Sequence, residues 1–457
     1  MLDSSSDGIL KFPAGFLWGV STSSYQNEGG NHNCQWADWE AQGHIRSGDT
    51  CGSACDWWRN VEPDLDLARD LGLNALRLSV EWSRVEPGPG QWDAGALSRY
   101  REILTSLRRR ELRPFVCLHH FTNPLWFEER GGFASADSVA TFERFACTVV
   151  EALGDLCQDW LTFNEPNVYA ILGYQVGEWP PGKAGEFATA CRVMANLARA
   201  HAAAYDAIHR LQPPARVGWT HNYLAFQPAR PDSVLDRSLA RWQGFFYNDP
   251  FIDFLEKGRT GFPVGTISGD VSEAVGKLDF AGINVYGRVR IQFNPGAPAM
   301  LFGRVVFPQD AIQGDCGHGF PFPEIYPQAI ALAAQRVSRL GKPIYVLENG
   351  IPDREDRLRP WLIVNATRQV HWLIRGGYDI RGYFHWTLTD NFEWNHGWAL
   401  RFGLVELDPQ TQKRTVRNSG RIFSAIARAN AISHELLQQF GEDPVSLPAG
   451  MSAGGEG

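Results

Sequence analysis

Eight short apolar runs recur along this chain, and most of them are followed by a longer segment with helical periodicity. Each run is rich in β-branched and aromatic residues and ends in a polar or aromatic cluster, as buried strands do. Eight strand-then-helix units without a break in composition predict an α/β fold, a single-domain (β/α)8 TIM barrel with its active site at the C-terminal ends of the strands. The runs lie within residues 16–29, 74–84, 113–121, 160–167, 215–222, 278–287, 343–350 and 382–394.

Amphipathic segments lie between the apolar runs, as a barrel requires. A doubly wound sheet is the rival architecture, but its first strand would be followed by a G-x-G-x-x-G pattern, and none of these runs is. We expect one barrel domain over residues 1–440, an irregular Gly/Pro-rich loop at 288–323 and a disordered tail at 441–457. The helical candidates include residues 63–72, 97–112, 140–155, 189–212, 325–341 and 365–377.

Composition limits the kind of partner that this protein can bind. The net charge of −8 and the pI near 5.9 argue against a nucleic-acid or anionic-membrane surface and favour a small neutral ligand. The first residues show no basic segment followed by an apolar one, and no stretch of about 18 apolar residues occurs in the chain. These features predict a soluble cytoplasmic protein, whereas the oligomeric state is not visible in a linear sequence.

The eight cysteines are few for a chain of 457 residues. Cys34, Cys51 and Cys55 cluster in a Gly-rich region, where a metal site or a local disulfide is conceivable. The CGSAC spacing differs from CxxC and no partner pair follows it, so we expect neither a metal nor a cofactor. The cysteines that we interpret as reduced core thiols are Cys117, Cys147, Cys157 and Cys191.

Two glutamates occupy equivalent positions at the ends of predicted strands. Glu165 follows the fourth apolar run and Glu348 ends the seventh, and each lies beside an asparagine. Because Pro166 restricts the residue before it, we expect an extended backbone at Glu165. The carboxyl ends of barrel strands meet on one face, so the two carboxylates can face each other there. Paired carboxylates cleave glycosidic bonds, one as the acid and the other as the nucleophile or base.

Tryptophans supply the flat apolar surfaces that sugar rings pack against, and this chain has 17 of them. Trp386 and Trp394 lie among Asp390, Asn391 and Glu393, and we interpret them as ligand contacts. The tryptophans that we interpret as core residues are Trp18, Trp82 and Trp160.

An adjacent histidine pair, His119 and His120, follows the third run and is compatible with a metal-dependent hydrolase. Barrels of that class use an H-x-H motif on the first strand, and H-x-H is absent from this chain. We therefore expect one histidine of the pair to bind the substrate by a hydrogen bond and the other to be a wall residue.

Four motifs, in order along the chain, resemble those of glycoside hydrolase family 1, the β-glucosidases and β-galactosidases. They are TFNEP (162–166), YVLENG (345–350), DNFEW (390–394) and RFGL (401–404), and the resemblance extends from Phe12 to about Phe423. The resemblance implies a retaining β-glycosidase that hydrolyses terminal unphosphorylated β-D-glucosides, together with β-galactosides and β-fucosides, through a glycosyl-enzyme intermediate. Its partner would be a small β-glycoside or an oligosaccharide.

The same resemblance implies roles for individual residues. Glu348 would be the nucleophile, and Glu165 would be the acid and base, with a pKa raised by the neighbouring carboxylate. Arg77 and Tyr286 would keep Glu348 ionised, and Asn164 would bind the sugar 2-hydroxyl. The residues matched to catalytic support are Arg77, Asn164, Asn284 and Tyr286, and those matched to the substrate are Gln26, His120, Glu393 and Trp394, with Trp386 bordering the aglycone.

Some residues depart from the family pattern. Leu347 stands where the nucleophile motif usually has a threonine. Phe121 replaces the tryptophan of a His-Trp pair, which removes an indole N–H near the glycone. Val285 replaces a tyrosine and leaves Tyr286 in place, while residues 35–38 read Gln-Trp-Ala-Asp where Ser-x-Trp-Asp is usual. None of these changes removes a catalytic group.

Other functions remain as alternatives. A 6-phosphoglycosidase would carry a small hydroxyl residue at the position of Glu393, where a carboxylate would repel a dianion. An inactive sugar-binding relative would have lost one of the paired carboxylates, and this chain keeps both. Metal-dependent hydrolysis would be sensitive to chelators, and transglycosylation would differ from hydrolysis only in the acceptor.

Overall fold

The computed structural model describes residues 8–309, 311–316 and 322–441 of the chain. Its centre is a closed barrel of eight parallel strands, to which each of the predicted apolar runs contributes one strand. The tail predicted at 441–457 lies outside the described residues except for Gly441, and the domain boundary at residue 440 stays a prediction. The strands are β1 (Leu17–Ser21), β2 (Ala75–Ser79), β3 (Arg113–His119), β4 (Asp159–Asn164), β5 (Arg216–Pro228), β6 (Phe280–Phe293), β7 (Ile344–Asn349) and β8 (Ile380–Trp386).

The strands follow one another around the barrel in chain order. Each strand pairs in parallel with the next, and β8 pairs in parallel with β1. Closure pairs both sides of every strand and removes the exposed edges of an open sheet.

Helices connect the strands, and all the predicted amphipathic segments are helical. Capping side chains set where two of the helices begin: Asp93 accepts a hydrogen bond from Ala96 N–H, and Ser233 accepts one from Asp236 N–H. Within the described part of the chain, none of the helices combines the length and hydrophobicity that a membrane crossing requires. The longer helices are Glu62–Asp70, Ala94–Arg109, Ser138–Leu153, Phe187–Leu211, Val234–Asn248, Pro250–Lys257, Ala329–Ser338, Arg359–Arg375 and Asn418–Ala429, and the shorter ones include Ser24–Glu28, Gln35–Ala41, Trp57–Asn60, Trp82–Val85, Leu125–Glu129, Pro166–Ala170, Val264–Ser268 and His434–Phe440.

Strand register brings polar residues from separate strands to one level of the barrel. Asn222 pairs with Asn284 across β5 and β6, and Asn284 pairs with Glu348 across β6 and β7. On the other side of the barrel, Ser21 at the end of β1 pairs with Arg77 of β2. Residues far apart in the sequence therefore meet near the carboxyl ends of the strands.

An apolar cluster fills the barrel interior below this polar level. Its members come from strands on all sides of the barrel. Side chains from opposite strands can contact one another only if they point into the barrel interior. Ala75 and Arg77 share one face of β2 because side chains alternate along a strand, so Arg77 lies next to this apolar layer. The cluster consists of Leu17, Ala75, Phe115, Cys117, Leu161, Phe280, Tyr345, Leu347 and Phe384.

The structure confirms the core interpretation of Trp18, Trp82 and Trp160, each of which is at most 1% exposed. All eight cysteines are free thiols. Of the predicted core thiols, only Cys147 is partly exposed, on the outer helix Ser138–Leu153. The clustered thiols at 34, 51 and 55 are buried, and no group of three or more metal-ligating side chains occurs among the residues that the structure describes.

The segment predicted as an irregular loop at 288–323 is partly β-structure. β6 continues to Phe293 and pairs in antiparallel fashion with the strand Gly303–Val306. The cause is that side chains alternate between the two faces of a strand. On one face, Val289 and Ile291 pack on the helix Val234–Asn248. On the other face, Arg288 and Arg290 form hydrogen bonds to Glu324. Residues 310 and 317–321 of this segment lie outside the described ranges.

Candidate active site

A cleft of about 250 Å³ opens at the C-terminal ends of the barrel strands. Three of the predicted site residues, Gln26, Arg77 and Asn284, lie behind the wall of this cleft. They donate hydrogen bonds to carboxyl groups that line it. The structure therefore brings all the predicted site residues together. Those that line the cleft are His120, Asn164, Glu165, Tyr286, Glu348, Trp386, Glu393 and Trp394.

Glu348, in β7, has a charged partner. Arg77 of β2 donates from Nη1 to Glu348 Oε1, and the Tyr286 hydroxyl of β6 donates to Oε2 over 2.6 Å. Burial raises the pKa of Glu348, while the Arg77 charge and the Tyr286 hydrogen bond oppose that rise. The predicted contacts are present, but burial outweighs them, so the pKa lies above rather than below its usual value.

Glu165, the residue after β4, is held by neutral amides. Asn222 Nδ2 and Asn284 Nδ2 both donate to Oε1, over 2.8 Å and 2.7 Å. Burial and, after it, the charge of Glu348 raise the pKa of Glu165 to about 8, in the predicted direction. Because two donors occupy Oε1, and no described residue forms a hydrogen bond with Oε2, the proton of the neutral acid belongs on Oε2.

The backbone of Glu165 corrects the expectation of extended geometry before Pro166. Its φ of 45° and ψ of 59° lie in the left-handed region. Its N–H donates to the Thr220 carbonyl of β5, and its own carbonyl accepts from Tyr169 N–H in the helix that follows. These two bonds impose a sharp turn from strand to helix. The proline disfavours the right-handed helical region, and the hydrogen bonds hold the strained left-handed one.

Asn164, the last residue of β4, connects the carboxyl groups to His120. Asn164 Oδ1 accepts from Arg77 Nη2 at 2.6 Å and from Asn284 Nδ2 at 3.1 Å, so Nδ2 faces His120 Nε2 at 3.0 Å and donates to it. Burial holds the pKa of His120 well below its usual range, which makes the ring neutral. A neutral ring that accepts at Nε2 carries its proton on Nδ1, which has no partner among the described residues. His120 Nδ1 is thus a buried donor to which no described residue is bonded.

Glu393 forms a second polar group with Gln26. Gln26 Nε2 donates to Glu393 Oε2 at 3.3 Å, and Trp386 Nε1 donates to Oε1 at 3.1 Å. Burial raises the pKa of Glu393 to about 8, so the group is mostly protonated at neutral pH. This weakens the predicted repulsion of a phosphorylated sugar. A phosphate would still find no cationic partner, because neither lysine nor arginine is among the described residues that line the cleft.

A buried ion pair fixes the loop that carries Glu393 and Trp394. Asp390 accepts two hydrogen bonds of 2.8 Å from Arg417 and one of 2.9 Å from Gly403 N–H. Asp390 is fully buried and does not line the cleft. The DNFEW and RFGL motifs therefore meet here, and both supply cleft side chains, since Phe402 lines the cleft together with Glu393 and Trp394.

Aromatic rings form one wall of the cleft. The centroid of Trp394 lies 4.6 Å from that of Trp36, 5.4 Å from that of Phe121 and 5.7 Å from that of Trp179. Gln35 Nε2 donates to the Phe121 carbonyl over 2.7 Å. The two departures from the family pattern, at 35–38 and at 121, are therefore in contact with each other. No sequence signal placed Trp179, which follows the helix after β4, in this wall.

The sequence assigned no role to two further residues near Glu165. Asn222, in β5, belongs to the His-Asn pair that ends the fifth apolar run, where the sequence places it among the polar residues at the strand ends. Tyr247 reaches the cleft from the helix Val234–Asn248, and no pattern marks it. Within the predicted histidine pair, His120 lines the cleft, whereas His119 Nε2 bonds to Asn123 Oδ1 at 2.9 Å.

Comparison with known proteins agrees with this geometry. The family model described as Glycosyl hydrolase family 1 matches residues 9–432. Beta-glucosidase A of Thermotoga maritima is 32% identical over 454 residues, covering 93% of this chain and 99% of that protein. A beta-galactosidase of Sulfolobus acidocaldarius is 31% identical over 494 residues, covering 94% of this chain and 97% of that protein. The solved structure of a beta-glycosidase from Pyrococcus horikoshii has a TM-score of 0.86 and 36% identity, covering 95% of this chain and 99% of that chain. The chain is a glycoside hydrolase and belongs to glycosyl hydrolase family 1.

Proposed function

We propose that this protein is a retaining β-glycosidase that hydrolyses terminal, unphosphorylated β-D-glucosides, with Glu348 as the nucleophile and Glu165 as the acid and base. The unequal partners of the two carboxyl groups support these roles. Glu348 has the charge of Arg77 and the hydroxyl of Tyr286, whereas Glu165 has only neutral amides. The Arg77 charge and the Tyr286 hydroxyl favour the ionised form of Glu348 against the effect of its burial, whereas Glu165, with a pKa raised to about 8, is a neutral acid at neutral pH.

In the first step, a Glu348 carboxylate oxygen attacks the anomeric carbon while the bond from that carbon to the leaving oxygen breaks. Glu165 gives its Oε2 proton to the leaving oxygen, and a glycosyl ester of Glu348 forms. In the second step, the ionised Glu165 takes a proton from water as the water oxygen attacks the same carbon and the ester bond breaks. Two inversions at one carbon give the β-anomer.

The glycone is proposed to bind on the side of the cleft that holds His120 and Glu393. The ring of His120, which lines the cleft, and the Gln26–Glu393 pair are proposed to bond to sugar hydroxyls, and Asn164 Nδ2 has a second hydrogen for the 2-hydroxyl. Trp394 supplies an apolar ring face. Both 4-epimers can bond to the Gln26–Glu393 pair with modest rearrangement, so β-galactosides and β-fucosides are proposed as further substrates.

The cell compartment is a separate part of the proposal. We place the protein in the cytoplasm because its eight cysteines are all free, as is usual in a reducing compartment. Fractionation of the source cells, with β-glucosidase activity measured in each fraction, tests this placement.

Hydrolysis of a panel of aryl glycosides, with the product anomer followed by NMR, tests the proposed activity. The panel holds the β-glucoside, β-galactoside, β-fucoside and 6-phospho-β-glucoside, each measured with and without EDTA, and the Glu348→Gln variant controls for contaminating host enzymes. We expect the β-anomer as the first product from the unphosphorylated substrates, unaffected by chelator. A first product with the α configuration, or hydrolysis of the phosphorylated sugar alone, would contradict the proposal.

A further inference from the structure

Glu165 is linked through Asn222 to a tyrosine on a neighbouring helix. The Tyr247 hydroxyl donates to Asn222 Oδ1 over 2.7 Å, and Asn222 Nδ2 donates to Glu165 Oε1 over 2.8 Å. Tyr247 is the penultimate residue of the helix Val234–Asn248. Burial holds the pKa of Tyr247 well above its usual range, so the phenol keeps its proton and remains a donor.

The helix end that carries Tyr247 is fixed to β5 by side-chain amides. Asn167 Nδ2 donates to the backbone carbonyls of both Asn222 and Tyr247, over 2.9 Å and 3.1 Å. Asn248 bonds to the backbone N–H and carbonyl of Leu224, over 3.2 Å and 3.0 Å. Because Tyr247 and Asn222 rest on the same framework, the direction of the tyrosine hydroxyl toward the amide is fixed.

The Tyr247 hydroxyl favours one of the two ways in which the Asn222 amide can face the acid. An asparagine side chain has two orientations of nearly equal shape, which exchange its donor and acceptor. A phenol is a stronger donor than acceptor, so Tyr247 favours the orientation with Oδ1 toward the helix and Nδ2 toward Glu165. In the reversed orientation, the amide oxygen of Asn222 would face Glu165 Oε1. It would repel the ionised form of Glu165. In the neutral form it would accept a hydrogen bond from a proton on Oε1, so the proton would no longer be on Oε2.

We infer that Tyr247 is a positioning residue for the acid and base: by fixing the Asn222 amide, it keeps a donor on Glu165 Oε1 and the transferable proton on Oε2. The inference rests on the proposed role of Glu165. Tyr247 also lines the cleft, so a direct contact with substrate is the competing explanation that the experiment has to separate.

The Tyr247→Phe variant removes only the hydroxyl. For phenyl β-D-glucoside, whose leaving group needs a proton, we expect kcat/KM to fall about three- to tenfold, the effect of one neutral hydrogen bond. For 2,4-dinitrophenyl β-D-glucoside, whose leaving group needs no proton, kcat/KM stays at the wild-type value. The alkaline limb of the pH dependence of kcat/KM for phenyl β-D-glucoside moves to higher pH, because the ionised Glu165 loses a hydrogen-bond donor and its pKa rises. Equal losses on both substrates, or a limb that does not move, would overturn the inference.

Two further variants complete the test. Tyr205→Phe is the matched control, because it removes a hydroxyl that donates to Asp279 over 3.0 Å outside the cleft, and both substrates should then react as with wild type. In the Asn222→Ala background, adding Tyr247→Phe should change nothing more. Additive losses would mean that Tyr247 acts on the substrate directly and would overturn the inference. A wild type inactive on both substrates would contradict the proposed function instead, so the two failures are distinguishable.

Discussion

Arg77 and Glu348 form an ion pair inside the barrel from which water is almost fully excluded, since their side chains are 0% and 4% exposed. A pair buried this deeply gains little stability over apolar residues of the same size, because both charges lose their hydration. Removing one partner is costly, however, because the other charge is left uncompensated. The pair is therefore explained better by the chemistry of Glu348 than by the stability of the barrel.

We expect Arg77→Met to lower the free energy of unfolding by about 3–5 kcal/mol, the cost of stranding one buried charge. Urea unfolding near neutral pH measures it. The matched control is Arg381→Met, because Arg381 pairs with Asp379 at the surface, where both side chains are more than half exposed. The control should lose less than about 1 kcal/mol. Equal losses of unfolding free energy in the two variants would contradict the claim that Arg77→Met leaves the buried charge of Glu348 uncompensated.

The pH dependence of kcat/KM should report Glu165. Its pKa of about 8 keeps the acid protonated at neutral pH, so kcat/KM for phenyl β-D-glucoside should fall as the pH rises through about 8. Glu393 also has a pKa of about 8, so the limb needs an assignment. In Glu165→Gln, kcat/KM with the phenyl substrate should be about 10²- to 10⁴-fold lower, and the limb should vanish. A limb that persists there unchanged would belong to Glu393.

The same raised pKa should make Glu165 a cost to stability at alkaline pH. An unfolded chain ionises glutamate near its usual pKa, about 4.3. The folded pKa is higher, so the stability from this group is fully present below the unfolded value and is lost as the pH rises toward about 8. Glutamine lacks this dependence. The stability of Glu165→Gln relative to wild type should therefore increase by about 2–4 kcal/mol between pH 5 and pH 8. A constant difference in urea unfolding would contradict the raised pKa.

Azide should distinguish the roles of the two carboxyl groups by stereochemistry. In Glu348→Ala, turnover should be abolished, and azide should take the vacated position and give the α-glycosyl azide. In Glu165→Ala, the first step should survive with good leaving groups, and azide should attack the glycosyl-enzyme and give the β-glycosyl azide. NMR of the products identifies each anomer. Exchanged products would mean that the two roles are reversed.

Much of this site could be predicted because the barrel turns sequence position into spatial position. Glu165 and Glu348 are 183 residues apart, yet each is at the end of an apolar run, and closure of the barrel brings such ends together. The family resemblance, and not strand position alone, indicated Arg77 and Tyr286 as partners of Glu348, and the structure places both on that residue.

What the sequence did not predict depends on contacts that no local pattern carries. The left-handed backbone of Glu165 results from a hydrogen bond to Thr220 of the next strand, which outweighs the local preference before proline. Tyr247 reaches the site only because the end of its helix is tied to β5. The continuation of β6 to Phe293 is different, because the alternation of arginine and branched apolar residues at 288–291 was visible in the sequence.

Trapping the glycosyl-enzyme tests the central claim most directly. With 2,4-dinitrophenyl 2-deoxy-2-fluoro-β-D-glucoside, the good leaving group lets the first step proceed, while fluorine destabilises the oxocarbenium-like transition state of the second, so the intermediate accumulates. Mass spectrometry of the intact protein should show one added fluoroglycosyl group, and peptide mapping should place it on Glu348. An adduct on Glu165 or Glu393, or rapid release of dinitrophenol with no adduct at all, would contradict the assignment of Glu348 as the nucleophile.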